Sequence, residues 1–291
     1  MCLSGSTTSH RYEREFAGCS RAEHLGQFSE VTMARKDHYY NKAKQEGYRA
    51  RSAYKLKQLD GDAGLFGPGN TVVDLGAAPG GWLQVASEEV GDHGKVVGVD
   101  LQRIRGIDRD NVQTIRGDMT EDETKEELTA VIGERGADAV VSDMAPNMTG
   151  EYSLDHARSV YLARQAFEVA QELLATGGDF AVKVFDGPDV ADLRADMERE
   201  FQYVRSMRPD ASRDSSSEQY LVGKHFLTAP VRKGDELDVE IVDVGSEGDG
   251  IAKVEDFTLF VSGTEAGDTP TVRVTDVKPR FAFAEPIDDE D

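Results

Sequence analysis

Val72-Val73-Asp74-Leu75-Gly76-Ala77-Ala78-Pro79-Gly80-Gly81-Trp82 decides the fold. An apolar run of strand type enters a glycine turn, and the stretch Trp82 to Val90 reads as the helix that follows. That is how an α/β sheet presents a nucleotide-like ligand at the carboxyl end of its first strand. Glycines let the backbone approach a ligand closely, and the helix N-terminus offers unpaired N–H groups. Two common phosphate loops are excluded. No Lys-Ser/Thr pair follows Gly81, and Gly76 and Gly80-Gly81 are wrongly spaced for G-x-G-x-x-G. The spacing suits a compact ligand seated on the turn, with S-adenosylmethionine the leading candidate.

Three later segments strengthen a ligand site. Lys95 to Asp100 is a second apolar strand ending in an acid, which could accept both ribose hydroxyls of an adenosine. Val112 to Ile115 is a third, followed by Arg116-Gly117-Asp118-Met119, with an acid where an adenine amino group could be read. Ala139-Val140-Val141-Ser142-Asp143-Met144-Ala145-Pro146 is a fourth, ending in acid and proline. Four strands that each end polar or in glycine at one sheet edge are poorly explained by packing alone.

Asp74 to Trp82, Ser142 to Asn147 and Val182-Lys183-Val184-Phe185 resemble the FtsJ/RrmJ family of ribosomal RNA large-subunit 2′-O-methyltransferases. The resemblance runs from about Asp37 to Gly223. It implies a Lys-Asp-Lys-Glu catalytic set, matched here by Lys55, Asp143, Lys183 and Glu218. It also implies that Gly80, Trp82, Asp100, Asp118 and Asp143 bind S-adenosylmethionine. One departure is Ser215-Ser216-Ser217, where the family carries an arginine nearer the glutamate.

Methyl transfer from a sulfonium to a ribose hydroxyl needs in-line geometry and a hydroxyl that gives up its proton as the bond forms. A lysine serves as base only when its pKa falls well below the free value of about 10.4. Within the set, Lys183 is read as that base. Lys55 and Glu218 place the ribose and hold the lysine, while Asp143 orients Lys183 and favours the sulfonium charge. An exposed ion pair is the plainer reading for any one of them. It fits Lys183 least, because Phe180 to Phe185 has the composition of a buried strand.

The chain of 291 residues can hold one sizeable core and a smaller domain. No apolar run is long enough to span a membrane, and the expected compartment is the cytoplasm. Cys2 and Cys19 are the only cysteines, so no disulfide framework or cysteine metal site is expected in the folded part. The six histidines form no ligand pair at helical spacing, and no metal is expected. Charge is the oddity: 33 basic against 55 acidic residues, net −22. Such a surface repels phosphate. Either the partner is not nucleic acid, or the protein works in concentrated salt, where the screening length is about 3 Å at 1 M. Acids spread over every segment favour a halophilic surface.

Against that background Met33 to Leu59 carries eight basic residues, Arg35, Lys36, Lys42, Lys44, Arg49, Arg51, Lys55 and Lys57, against Asp37 and Glu46. Tyr39, Tyr40, Tyr48 and Tyr54 interleave with them. Cations for phosphate with aromatics for stacking suit an RNA-facing element. A solvated helix with its tyrosines packed inward is the alternative.

Residues 1–32 read as a disordered tail or a misassigned start, with Met33 a good true start. A methyltransferase domain is expected over 33–224. Its clearest amphipathic helix is His156 to Ala175, stopped by Gly177-Gly178. Pro209 to Ser217 reads as a loop before a last strand, Gln219 to Val222. From Val231 the pattern becomes short strands punctuated by glycine: Glu236 to Val244, Gly250 to Val254, Thr258 to Val261 and Thr271 to Lys278. Asp243 to Lys253, Leu259 to Val261 and Arg280 to Glu285 resemble the TRAM domain, an RNA-binding OB-type β-barrel, expected over 225–287. Asp288 to Asp291 is an acidic end.

The expected fold is therefore α/β: a doubly wound, Rossmann-like seven-stranded methyltransferase sheet with a small C-terminal β-barrel. The expected function, on the resemblance, is 2′-O-methylation of a ribose, a uridine, in large-subunit ribosomal RNA within the assembled subunit. A transfer RNA 2′-O-methyltransferase and a catalytically silent RNA-binding assembly factor are the alternatives. Sequence implies no oligomeric state beyond a monomer as the default.

Overall fold

The computed structural model describes residues 38–213 and 216–287. The expectations for residues 1–32, for Cys2 and Cys19, for Arg35 to Asp37 and for Asp288 to Asp291 lie outside them. The compact unit Tyr39–Asp291 contains two sheets.

The larger sheet is built from β1 (Thr71–Leu75), β2 (Lys95–Asp100), β3 (Val112–Arg116), β4 (Ala137–Ser142), β5 (Leu174–Phe185), β6 (Phe201–Met207) and β7 (Glu218–Phe226). Its order is β3-β2-β1-β4-β5-β7-β6. β1 to β5 pair in parallel, and β7 runs antiparallel between β5 and β6. Helices α1 (38–46), α2 (Ala53–Ala63), α3 (Gly81–Val90), α4 (Asp122–Ile132), α5 (Tyr152–Leu173) and α6 (Val190–Glu200) connect and cover these strands.

Successive strand residues serve opposite faces. Val73, Leu75, Val97 and Val140 pack with α4, α5 and α6, whereas Val72, Val96, Ala139 and Val141 pack with α2 and α3. Burial on both faces is why these strands read as continuous apolar runs rather than alternating ones. Each such valine or leucine contributes about 1.5–3 kcal/mol. The strand order reverses between β1 and β4, which opens a crevice at their carboxyl ends.

The structure corrects the expected end of α5. The helix stops at Leu173, and Leu174 is already extended and begins β5. Gly177 and Gly178 lie inside that strand, where the register against β4 shifts between Ala137 and Ala139. A Cβ at Gly178 would sit 3.0 Å from the carbonyl oxygens of Ala137 and Ala175. The glycine pair thus serves a strand irregularity, a role that looks the same as a helix stop in sequence. β7 is also longer than expected, beginning at Glu218 and running to Phe226.

The second sheet contains β8 (Glu236–Asp238), β9 (Ile241–Val244), β10 (Gly250–Val254), β11 (Phe257–Val261), β12 (Thr271–Val277) and β13 (Phe281–Pro286), in the order β8-β12-β13-β11-β10-β9. Glu236 to Val244, read as one strand, is two. Its first half pairs with β12 and its second with β10. Because β8 and β9 are the two edges of the order yet adjacent in the chain, this stretch curls the sheet back on itself. Leu259, Val261, Val272, Val274, Ala282 and Ala284 fill the interior. Phe260, Phe281 and Phe283 form a separate cluster outside that core, with ring centroids 5.4 to 5.9 Å apart.

Candidate active site

Two clefts meet at the carboxyl ends of β4 and β5. The first, about 720 Å³, lies at the β1/β4 reversal and is lined among others by Gly76, Ala78, Asp100, Asp118, Asp143 and Met144. Its walls are tied by hydrogen bonds. The Ala78 N–H donates to Asp100 Oδ2 at 2.9 Å, joining the glycine turn to β2, and the Ser142 hydroxyl donates to the Leu75 carbonyl at 2.9 Å. Asp118 Oδ1 accepts from the Thr120 N–H and hydroxyl. Gly76 is required here: its φ is 78°, and a Cβ would meet Met144 Cγ at 2.0 Å.

Beneath this cleft Asp74 is buried, and its Oδ2 has no hydrogen-bond partner among the described residues. Burial, reinforced by Asp143 and Asp100, holds its carboxyl well above the usual range. Three acids around one cleft make a field that a cationic ligand would relieve. A sulfonium with an attached ammonium fits that requirement, and the polar strand ends fit a nucleoside.

The second cleft, about 560 Å³, is lined by Lys55, Lys183 and Glu218 with Arg51, Tyr152 and Arg213 among others. Asp143 joins the two. Its Oδ1 accepts from Lys183 Nζ at 2.8 Å and from the Tyr220 hydroxyl at 2.6 Å, and Lys55 Nζ stands 3.9 Å away. Lys183 Nζ also donates to the Asp143 carbonyl at 2.5 Å, and Lys55 pairs with Glu218 Oε1 at 2.7 Å. The four residues read as a catalytic set therefore form one connected network.

Each member is held from outside. Lys183 is buried in β5, opposite Tyr220 of β7. Glu218 and Tyr220 share one face of β7 because side chains alternate along a strand. Lys55 rides on α2, which is clamped at both ends. The Trp82 indole N–H donates to the Ser52 carbonyl at 2.9 Å, and Lys224 Nζ donates to the carbonyls of Ala63 and Gly64 at 3.0 and 2.9 Å while pairing with buried Asp179.

A model of the FtsJ-like methyltransferase family matches residues 48–226, and a TRAM domain model matches residues 230–287. The chain belongs to the FtsJ-like methyltransferase family. It is 66% identical over 256 residues to a Haloquadratum walsbyi protein named ribosomal RNA large subunit methyltransferase E, covering 88% of this chain and 100% of that one. It is 68% identical over 256 residues to the Natronomonas pharaonis protein of the same name, with the same coverage of each. Both relatives come from halophilic archaea. A Plasmodium falciparum crystal structure described as a ribosomal RNA methyltransferase is 28% identical, with a TM-score of 0.55, covering 62% of this chain and 98% of that chain.

In this FtsJ-like methyltransferase the residues expected at the cofactor divide. Asp100, Asp118 and Asp143 line the first cleft, whereas Gly80 and Trp82 are not among its lining residues. Gly80 sits at the N-terminus of α3 with φ 104°, where a Cβ would meet Arg49, Ile104 and Ile107. The Trp82 ring packs 5.9 Å from that of Tyr220. The expected RNA-facing tyrosines divide as well. Tyr39, Tyr48 and Tyr54 pack around one another, leaving Tyr40 exposed. Nearby cations are engaged: Lys57 pairs with Glu88, and Arg49 donates to the carbonyls of Pro79, Arg105 and Gly106.

Sequence reasoning missed Tyr220, Asp74 and Asp155. Asp155 accepts from the Thr149 N–H and hydroxyl, both at 2.8 Å, and from the Gly150 N–H at 3.0 Å. Those bonds, the Thr149 N–H first, hold its carboxyl below the usual range and order the loop between the clefts. The two-residue period from Glu218 would have indicated Tyr220. For Asp74 and Asp155 no local pattern distinguishes the role.

Proposed function

We propose that the protein methylates the 2′-hydroxyl of a ribose, a uridine on the family resemblance, in large-subunit ribosomal RNA, with S-adenosylmethionine as methyl donor. The observation that carries this reading is the Asp143 carboxylate standing between the two clefts and binding Lys183, with Lys55 and Glu218 completing the network. The names of the halophilic relatives support the RNA class, and the TRAM match supports RNA delivery.

Asp100, Asp118 and Asp143 would hold the donor, which supplies an electrophilic methyl group on a positively charged sulfur. Lys183, in its neutral form, accepts the 2′ proton. Asp143 holds that lysine from its side chain and its carbonyl, fixing the nitrogen where the hydroxyl arrives. Lys55 and Glu218 form the opposite wall and orient the ribose. Tyr220 stays protonated, because burial pushes its hydroxyl well above the usual range, and it keeps Asp143 turned toward Lys183.

The test is transfer of labelled methyl, in molar KCl, to purified large subunits lacking the modification, beside free transfer RNA. Label on the subunit at ribose, falling by roughly 10²–10⁴-fold in Lys183→Ala, is the expected result. Label on transfer RNA, or none despite cofactor binding, would overturn the assignment.

A further inference from the structure

Tyr152, the first residue of α5, is 61% exposed and lines the second cleft beside Lys183. It is nonetheless fixed. Its hydroxyl donates to the Asp186 carbonyl at 2.6 Å, and its ring lies nearly parallel to that of His156, with centroids 6.4 Å apart and planes 13° apart. His156 is buried and is itself held. Its Nδ1 donates to the Phe185 carbonyl at 3.0 Å, whereas its Nε2 makes no hydrogen bond among the described residues. Gly187 leaves room for this imidazole, since a Cβ there would approach the ring to 2.4 Å.

An exposed aromatic ring contributes little to the core, so pinning it at one edge and one face needs another explanation. We infer that Tyr152 is the stacking platform for the base of the acceptor nucleotide, with His156 as the residue that positions it. The inference rests on the proposed ribose methylation and deepens it by naming what holds the base. Placement supports it. Asp186, which anchors the hydroxyl, lies just past the end of β5, three residues beyond Lys183. Tyr152 and Lys183 line the same cleft, so a ribose at Lys183 leaves its base in the space that the Tyr152 ring borders.

Chemistry supports it as well. Every base has a π-face, so stacking tolerates any sequence and needs no positive potential. It therefore keeps its strength in concentrated salt, where phosphate contacts lose theirs. A base can reach such a platform only when it is out of a helical stack, so the substrate class is RNA with an unstacked or splayed-out nucleotide.

The test uses the full chain in molar KCl with Tyr152→Ala, Tyr152→Phe and Tyr152→Trp. One readout is quenching of 2-aminopurine in a short single-stranded RNA, which requires no methyl transfer. The second is KM and kcat with large subunits, and the third is S-adenosylmethionine binding. The platform predicts that Tyr152→Ala loses the quenching and raises KM by roughly ten- to a hundredfold. Tyr152→Trp retains both, Tyr152→Phe is intermediate, and cofactor binding is unchanged in all three. Quenching lost in Tyr152→Ala while even the parent transfers no methyl would sink the proposed reaction and leave the platform standing. Equal quenching in parent and Tyr152→Ala, no quenching in the parent, or weakened cofactor binding in Tyr152→Ala would each overturn it.

Discussion

At the scale of single residues, Asp143 and Asp74 show how one environment gives two carboxyl groups different work. Asp143 is surrounded by donors, and Tyr220 supplies one of them. A hydrogen bond to a charged group is worth about 1.5–3 kcal/mol. Tyr220→Phe should therefore lower kcat by roughly ten- to a hundredfold, with cofactor affinity unchanged by calorimetry. Asp74 has the reverse problem, since burial disfavours its charge. In the unfolded chain it ionises near pH 4. Between that pH and its raised native value, ionisation favours the unfolded chain, so its contribution to stability is lost as pH rises. Asp74→Asn should melt above the parent at pH 8, with the gain vanishing as pH falls to about 3. Lys55, Asp143, Lys183 and Glu218, which the structure joins in one network, could be picked out because each stands in a distinctive local motif. Asp74 stood in the most telling stretch of the chain, yet its buried, unpartnered oxygen depends on neighbours from β2 and β4 and could not be read.

At the scale of elements, α2 shows a helix held in place for the sake of one side chain. Trp82 grips its first turn and Lys224 its last, and Lys55 lies between. Removing one partner of a buried ion pair costs about 3–5 kcal/mol. Lys224→Ala should lose stability on that order in urea titrations and lower kcat, although Lys224 lies at the far end of the helix from Glu218. Strand positions and the parallel sheet followed from apolar runs and their acidic ends. The end of α5 did not, because Gly177-Gly178 signal a break without saying which element is broken. The closing strand of the barrel did not either. Its two halves share one alternation, and only their different partners separate them.

At the scale of the whole molecule, charge dominates. An excess of 22 negative charges repels itself, and screening extends only about 3 Å at 1 M salt against about 10 Å at 0.1 M. The melting temperature should rise steadily from 0.1 to 3 M KCl, and a flat profile would contradict a halophilic surface. Composition pointed to that surface directly. Within the basic segment, folding engages Arg49, Lys55 and Lys57 in contacts within the protein, while Tyr40 stays exposed. Local density of cations says nothing about which of them remain available.

The single oxygen shared by Lys183 and Tyr220 has a consequence for how the gene can vary. Asparagine at 143 would present a weaker, uncharged acceptor to the lysine and the phenol, and glutamate would carry the oxygen one methylene too far. In a saturation library selected for activity, codon 143 should retain aspartate alone, whereas codon 220 should still admit phenylalanine at reduced fitness. Drift at this site is asymmetric: the phenol donor can be traded, and the atom it meets cannot.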